Sequence, residues 1–168
     1  MDIKVVLICA VLFALLFTII NLLYYAGDRK YEISSIHNYP PDIQEEYFKT
    51  HERVDTSYRS KNVIFVKLLG LLIFIIILSL CAYFAKARTF KDGFLVAFIL
   101  MVWIGLYDTL FIDWVLFANL KMFRLEGTEH MDEAYHQKWF HLKGIIFPGL
   151  LFAVIVAGAV GLIISFIK

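Results

Sequence analysis

Two carboxylates stand inside an apolar stretch long enough to cross a bilayer. Asp108 and Asp113 lie within residues 93–118, GFLVAFILMVWIGLYDTLFIDWVLFA. A charge at membrane depth costs several kcal/mol, so such groups face a bundle interior and find partners there. At 1.5 Å per residue, Asp113 sits about 7 Å inside the boundary near Ala118. Lys67 and Asn21 fall at similar depth in their own apolar runs. The depth match predicts that Asp113 and Lys67 face each other, with Asn21 close by. The competing arrangement has Lys67 and Asp113 each snorkelling to the headgroups on its own. Either way, the layer could serve a ligand or simply lock the helices together.

Asp108 lies deeper, about 15 Å from the same boundary, with Thr18 as the nearest polar group by depth. A mid-membrane carboxyl can couple proton or cation movement, or act as a buried hydrogen-bonding acid between helices. Five residues on a regular α-helix turn through roughly 140°, so Asp108 and Asp113 are expected on different faces.

A third cluster follows. His130, His136 and His141 lie near Glu129, Asp132 and Glu133. Glu133 and His136 have the Glu-x-x-His spacing found on helices of carboxylate-bridged di-metal proteins. No second copy exists, so Glu133, His136 and His141 are weak metal candidates. His37 and His51 could complete such a site only if both long connections fold together. No phosphate-binding glycine loop, nucleophile elbow or paired-cysteine metal motif is present, and no cofactor is named by any pattern.

These residues must be positioned by helices. The chain has 168 residues, 61% of them hydrophobic, with a formal net charge of +1. That composition lies far outside the soluble range, and the charge gives nucleic-acid binding no support. Four runs satisfy the length of a spanning helix, at about 4–26, 62–84, 93–118 and 144–166. Continuous apolar runs exclude the alternating pattern of a barrel. The fold class expected is all-α: one polytopic membrane domain of four transmembrane helices. Cys9 and Cys81 lie inside these runs and read as small core residues.

The loop of residues 85–92 makes the second and third spans antiparallel neighbours. The two long connections then share one side of the membrane. Their side of the membrane, with Lys67 near the end of the second span included, carries eleven of the sixteen Lys and Arg, which favours a cytoplasmic placement in a cell membrane, with both termini outside. Each connection is expected to hold an interfacial amphipathic helix. The first runs from Asp42 to Tyr58 with a stripe of Ile43, Tyr47, His51, Val54 and Tyr58, and with Glu45–Lys49 and Asp55–Arg59 as ion pairs. The second starts at a Thr128 N-cap and carries Met131, Tyr135, Trp139 and Leu142, bending near Gly144 or Pro148.

Gly149, Ala153, Ala157 and Gly161 repeat every four residues, the small-residue stripe that lets helices approach closely. Its partner is either a helix of the same bundle or a second copy in a homodimer, or another membrane protein. Three functions fit this organisation. One is a binding, sensing or accessory membrane subunit with a polar cleft at one face, lined by Asn21, Lys67 and Asp113, with Asp108, His136 and His141 as further candidates. The second is a small ion- or proton-coupled transporter using Asp108. The third is a membrane-embedded enzyme acting on a lipid or quinone-like substrate. Membrane lipids are the one partner the composition itself implies.

Overall fold

The computed structural model describes residues 1–26, 36–53 and 61–167. Every regular element among them is helical. In chain order they are α1 (Ile3–Ala26), α2 (Pro41–Tyr47), α3 (Lys61–Phe84), α4 (Phe90–Tyr107), α5 (Asp132–Tyr135), α6 (Lys138–Gly144) and α7 (Leu150–Phe166). Two π-helical segments interrupt this order. Asp108–Phe117 continues α4, and Ile145–Gly149 joins α6 to α7. Four helical stretches are long and apolar enough to cross a membrane: Ile3–Tyr25, Ile64–Phe84, Phe90–Phe117 and Asp132–Phe166.

The bundle core forms where small residues permit close approach. Leu78 and Ala82 of α3, Val96, Ala97 and Leu100 of α4, and Val156, Ala157, Val160 and Ile164 of α7 are buried together, with Val6 of α1. The tightest contact is α4 on α7. A Cβ placed on Gly93 would lie 2.9 Å from the Ile164 Cβ, and one on Gly161 would lie 2.9 Å from the Phe90 carbonyl oxygen. Only glycine fits at those crossings. Ala157 and Gly161 of the small-residue stripe are thus packed inside the bundle, Gly161 against Phe90 of α4, while Gly149 and Ala153 face a cavity.

The turn between α3 and α4 is fixed by Lys86, which adopts a positive φ of 62°, and by Thr89, whose hydroxyl accepts the Asp92 N–H at 3.2 Å. That is an N-cap satisfying one of the free donors of a helix start. α1 is held by polar contacts as well as packing. Trp103 Nε1 donates to the Ala10 carbonyl at 3.0 Å, and the Thr18 and Tyr107 hydroxyls lie 2.7 Å apart.

The outer faces of these helices stay bare. Leu12, Phe65 and Ile155 are each about three-fifths exposed, at 59%, 65% and 61%. Such wide apolar surfaces are foreign to a monomer in water and fit hydrocarbon contact.

The two long connections fold onto each other in a cap at one end of the bundle. Ile36, Tyr39, Ile43 and Tyr47 from the first pack against Phe117, Phe123, Leu125 and Tyr135 from the second. This departs from the expected pair of interfacial helices. α2 stops at Tyr47, because its apolar residues are drawn into the cap core, and the chain is non-helical over 51–53. Val54, Tyr58 and the Asp55–Arg59 pair lie outside the described residues. Lys49 bonds Glu46 at 2.5 Å, holding that carboxyl below its usual range and lifting its own ammonium above it.

In the second connection Thr128 does not cap a helix. Its hydroxyl donates to the Leu125 carbonyl and meets the Tyr135 hydroxyl at 2.7 Å, inside the cap core. The Tyr135 hydroxyl also accepts the Leu125 N–H at 2.9 Å. Arg124 lies over the Tyr135 ring at 3.9 Å, donating to the Ala118 carbonyl and to Asp132. These contacts divert the chain, and the expected single helix becomes α5 and α6 with a break at Gln137.

Candidate functional site

Beneath the cap lies a cavity of about 630 Å³ between α1, the α4 helix with its π continuation, and the α6–α7 helix. It reaches from His37 and Asn38 in the first connection to Phe74 and Met101 at mid-bundle. Asn21, Asp108, Asp113 and His141 all line it. Four of the residues singled out by type and depth therefore converge.

Two of them converge because the helix changes its hydrogen-bonding pitch. In Asp108–Phe117 the ladder shifts from i→i+4 to i→i+5, as in the Ala118 N–H bond to the Asp113 carbonyl. Residues five apart become successive neighbours on one face, which brings Asp108 and Asp113 to the same wall. The expectation that they diverge assumed a regular α-helix. π segments are rare, and they occur often at functional sites.

The opposite wall is interrupted too. Ile145–Gly149 is π-helical, with a kink at Phe147, whose φ and ψ are −151° and 123°. Gly149 is required there, since a Cβ would meet the Gly144 carbonyl oxygen at 2.8 Å. Irregular backbone at membrane depth persists only where it is buried in protein or lines a cavity. Here Gly144, Ile145 and Gly149 line this one.

The chemical centre is the pairing of Asp113 with His141. Asp113 Oδ2 lies 3.1 Å from His141 Nδ1, with side chains 19% and 8% exposed. The ring of His141 also packs edge-on against Phe117. With Nδ1 engaged by the carboxylate, His141 Nε2 is buried and has no partner among the described residues. A carboxylate fixing one imidazole nitrogen sets the tautomer and leaves the other nitrogen for a ligand or a proton.

Lys67 is elsewhere. It is exposed on α3, does not line the cavity and forms no ion pair among the described residues. The expected Lys67–Asp113 pair is not formed, and His141 takes the place beside the acid. Asn21 lines the cavity while its amide donates to the Phe17 carbonyl of its own helix at 3.0 Å. Thr18 meets Tyr107, not Asp108. The Asp108 N–H bonds back to the Ile104 and Gly105 carbonyls of its own helix, while its carboxyl makes no hydrogen bond among the described residues.

Neither member of the Glu-x-x-His pair lines this cavity, though His136 lines a small adjoining pocket with Asp113 and His141. Glu133 and His136 are exposed, and His136 Nδ1 lies 2.8 Å from the Asp132 carbonyl oxygen on its own turn. Among the described residues no three His, Cys, Asp or Glu side chains converge in a metal-ligand set. His51 stacks on Tyr47 at 4.0 Å, away from His141.

Sequence reasoning passed over the rings that wall the cavity, including Phe17, Phe74 and Phe152. In four apolar helices nothing distinguishes a phenylalanine facing a cavity from one facing lipid. The His141 pairing had a usable signal, since that residue stands at the same end of its span as Asp113. Comparison with protein-family models, with curated proteins and with solved structures finds nothing that matches this chain.

Proposed function

We propose that the chain is a multi-pass integral membrane protein of the cell membrane that binds a small amphiphilic molecule in the cavity beneath its cap. It acts as a binding, sensing or accessory subunit. The observation that carries this reading is the cavity itself. Its volume of about 630 Å³ lies in the range of ligand sites, which are apolar with a few convergent polar groups. Asp108, Asp113, His141 and Asn21 are those groups. Two interrupted helices support the same reading, because backbone breaks at spanning depth accompany ligand and ion sites.

The membrane placement rests on the four apolar stretches and their bare outer faces. The Lys and Arg excess in the long connections supports a cytoplasmic cap. A partner protein or a second copy would use a face other than Ala157 and Gly161, which are buried within the chain.

A second reading is favoured by one feature. Asp108 stands in the cavity without a hydrogen-bond partner among the described residues, beside two broken helices, as a coupling carboxyl in a small transporter would.

Native mass spectrometry of the full chain, extracted in mild detergent or in native lipid discs, tests the binding reading. A retained small molecule is expected, and it should be lost in Gly105→Val. Gly105 lines the cavity, and a Cβ there has its nearest neighbour at 3.9 Å, so the new side chain fills ligand space without a clash. A chain that carries nothing, and whose thermal unfolding does not respond to total membrane extract, overturns the reading. Proton or ion flux in proteoliposomes that disappears in Asp108→Asn would put the transporter first.

A further inference from the structure

We infer that the ligand of this cavity is an organic cation with an apolar body. The inference rests on the binding reading above and names its chemical class. Three observations carry it together. First, two carboxylates, Asp108 and Asp113, line the cavity, and no Lys or Arg among the described residues does. His141, on Asp113, and His37, at the cap end, are the basic groups that face the cavity. His141 is committed to Asp113 and His37 stands at the cap end, so among the described residues no Lys or Arg faces Asp108 in the cavity.

Second, an uncompensated buried charge is costly, so a cationic guest supplies what the protein leaves out. An anionic guest would add to the repulsion. With a neutral guest the carboxyl would take up a proton, so a cation is the guest that uses its ionised form.

Third, aromatic rings surround these acids. Phe17, Tyr25, Phe74, Phe117, Phe140 and Phe152 all line the space. Ring faces attract cations through the quadrupole, and aromatic walls are a known solution for quaternary ammonium groups, which offer no hydrogen-bond donor. Phenylalanine side chains can also solvate the apolar part of such a guest. A metal ion has no matching donor set, since no three-ligand group is present among the described residues. The combination of acid, ring and absent base selects a soft, bulky cation.

The test uses the full-length chain in detergent at fixed pH, with empty micelles as blank. Equilibrium dialysis measures binding of radiolabelled tetraphenylphosphonium, and of triphenylphosphine oxide as an uncharged relative. The expected result is one saturable phosphonium site. Asp108→Asn combined with Asp113→Asn should weaken it about tenfold or more, equivalent to 1.4 kcal/mol, without changing uptake of the oxide. If the double variant does not fold, Phe17→Leu and Phe152→Leu keep the apolar volume and remove ring faces. They should weaken the phosphonium and spare the oxide.

Equal binding of both probes, insensitive to the Asn and Leu variants yet abolished by Gly105→Val, overturns the cation class and leaves the cavity reading standing. Absence of saturable phosphonium binding, while native spectra retain a neutral molecule, also overturns it. Absence of binding by both probes together with empty native spectra overturns both readings.

Discussion

Asp113 and His141 meet at 3.1 Å across two helices, an acid from one π-helical stretch and an imidazole from the turn just before another. Both side chains are largely withdrawn from solvent, so the pair acts where screening is weak. It ties α6 to the wall that carries Asp108, and it does so at the base of the cap.

That pairing predicts a specific coupling. Asp113→Asn and His141→Gln should be non-additive in a double-mutant cycle, with an interaction of about 0.5–3 kcal/mol. Asp113→Asn and Lys67→Met should be additive within about 0.5 kcal/mol, since those residues do not touch. Reversible unfolding in mixed micelles gives both numbers. Coupling to Lys67 in place of His141 would contradict the geometry.

The crossing of α4 on α7 has no room for a methyl group. Gly161→Ala places a Cβ 2.9 Å from the Phe90 carbonyl oxygen, a backbone atom that cannot swing aside. Overpacking of this kind costs about 1–3 kcal/mol. Gly158→Ala is the control, because no heavy atom lies within 4 Å of its added Cβ. Thermal unfolding should separate the two substitutions.

The cap depends on one hydroxyl. Tyr135→Phe leaves the Leu125 N–H and the Thr128 hydroxyl without their shared partner inside an apolar core. A buried donor left unmade costs about 1–3 kcal/mol. Hydrogen exchange should rise over residues 117–135 and stay unchanged in α7. A uniform rise through the whole chain would show that the cap and bundle unfold as one unit.

α1 and α3 can be joined chemically. Cys9 of α1 and Cys81 of α3 are both free thiols, packed against the same buried cluster of the bundle. Treatment with a membrane-permeant oxidant should give an intramolecular crosslink, visible as a mobility shift reversed by thiol. Cys9→Ser and Cys81→Ser should each abolish it. A crosslink only between chains would overturn the packing of α1 on α3.

How much of this was legible beforehand depends on the range of the interaction. The four apolar stretches could be read from composition, because hydrocarbon demands an unbroken run of apolar residues and internal backbone hydrogen bonds. The close packing of Gly149, Ala153, Ala157 and Gly161 was legible too, though not whether its partner belonged to the same chain. Depth along the helices selected Asn21 and Asp113, which both line the cavity, but it named Lys67 as the acid's partner where the structure has His141.

Rotation is different. Lys67 shares the depth of Asp113, but its facing depends on how α3 docks against its neighbours, and no local pattern encodes that. The convergence of Asp108 with Asp113 depends on a π-helical register, a departure from α geometry that tertiary packing sustains against local preference. The cap shows the same division. Tyr47 and Tyr135 read as parts of two separate interfacial stripes until the two connections supply each other with a core. The chain alone determined that there are four apolar helices and where along each one the polar groups fall, because both follow from hydrophobicity and rise per residue. Only the tertiary structure decided which polar groups meet, because that is set by side-chain packing between segments distant in sequence.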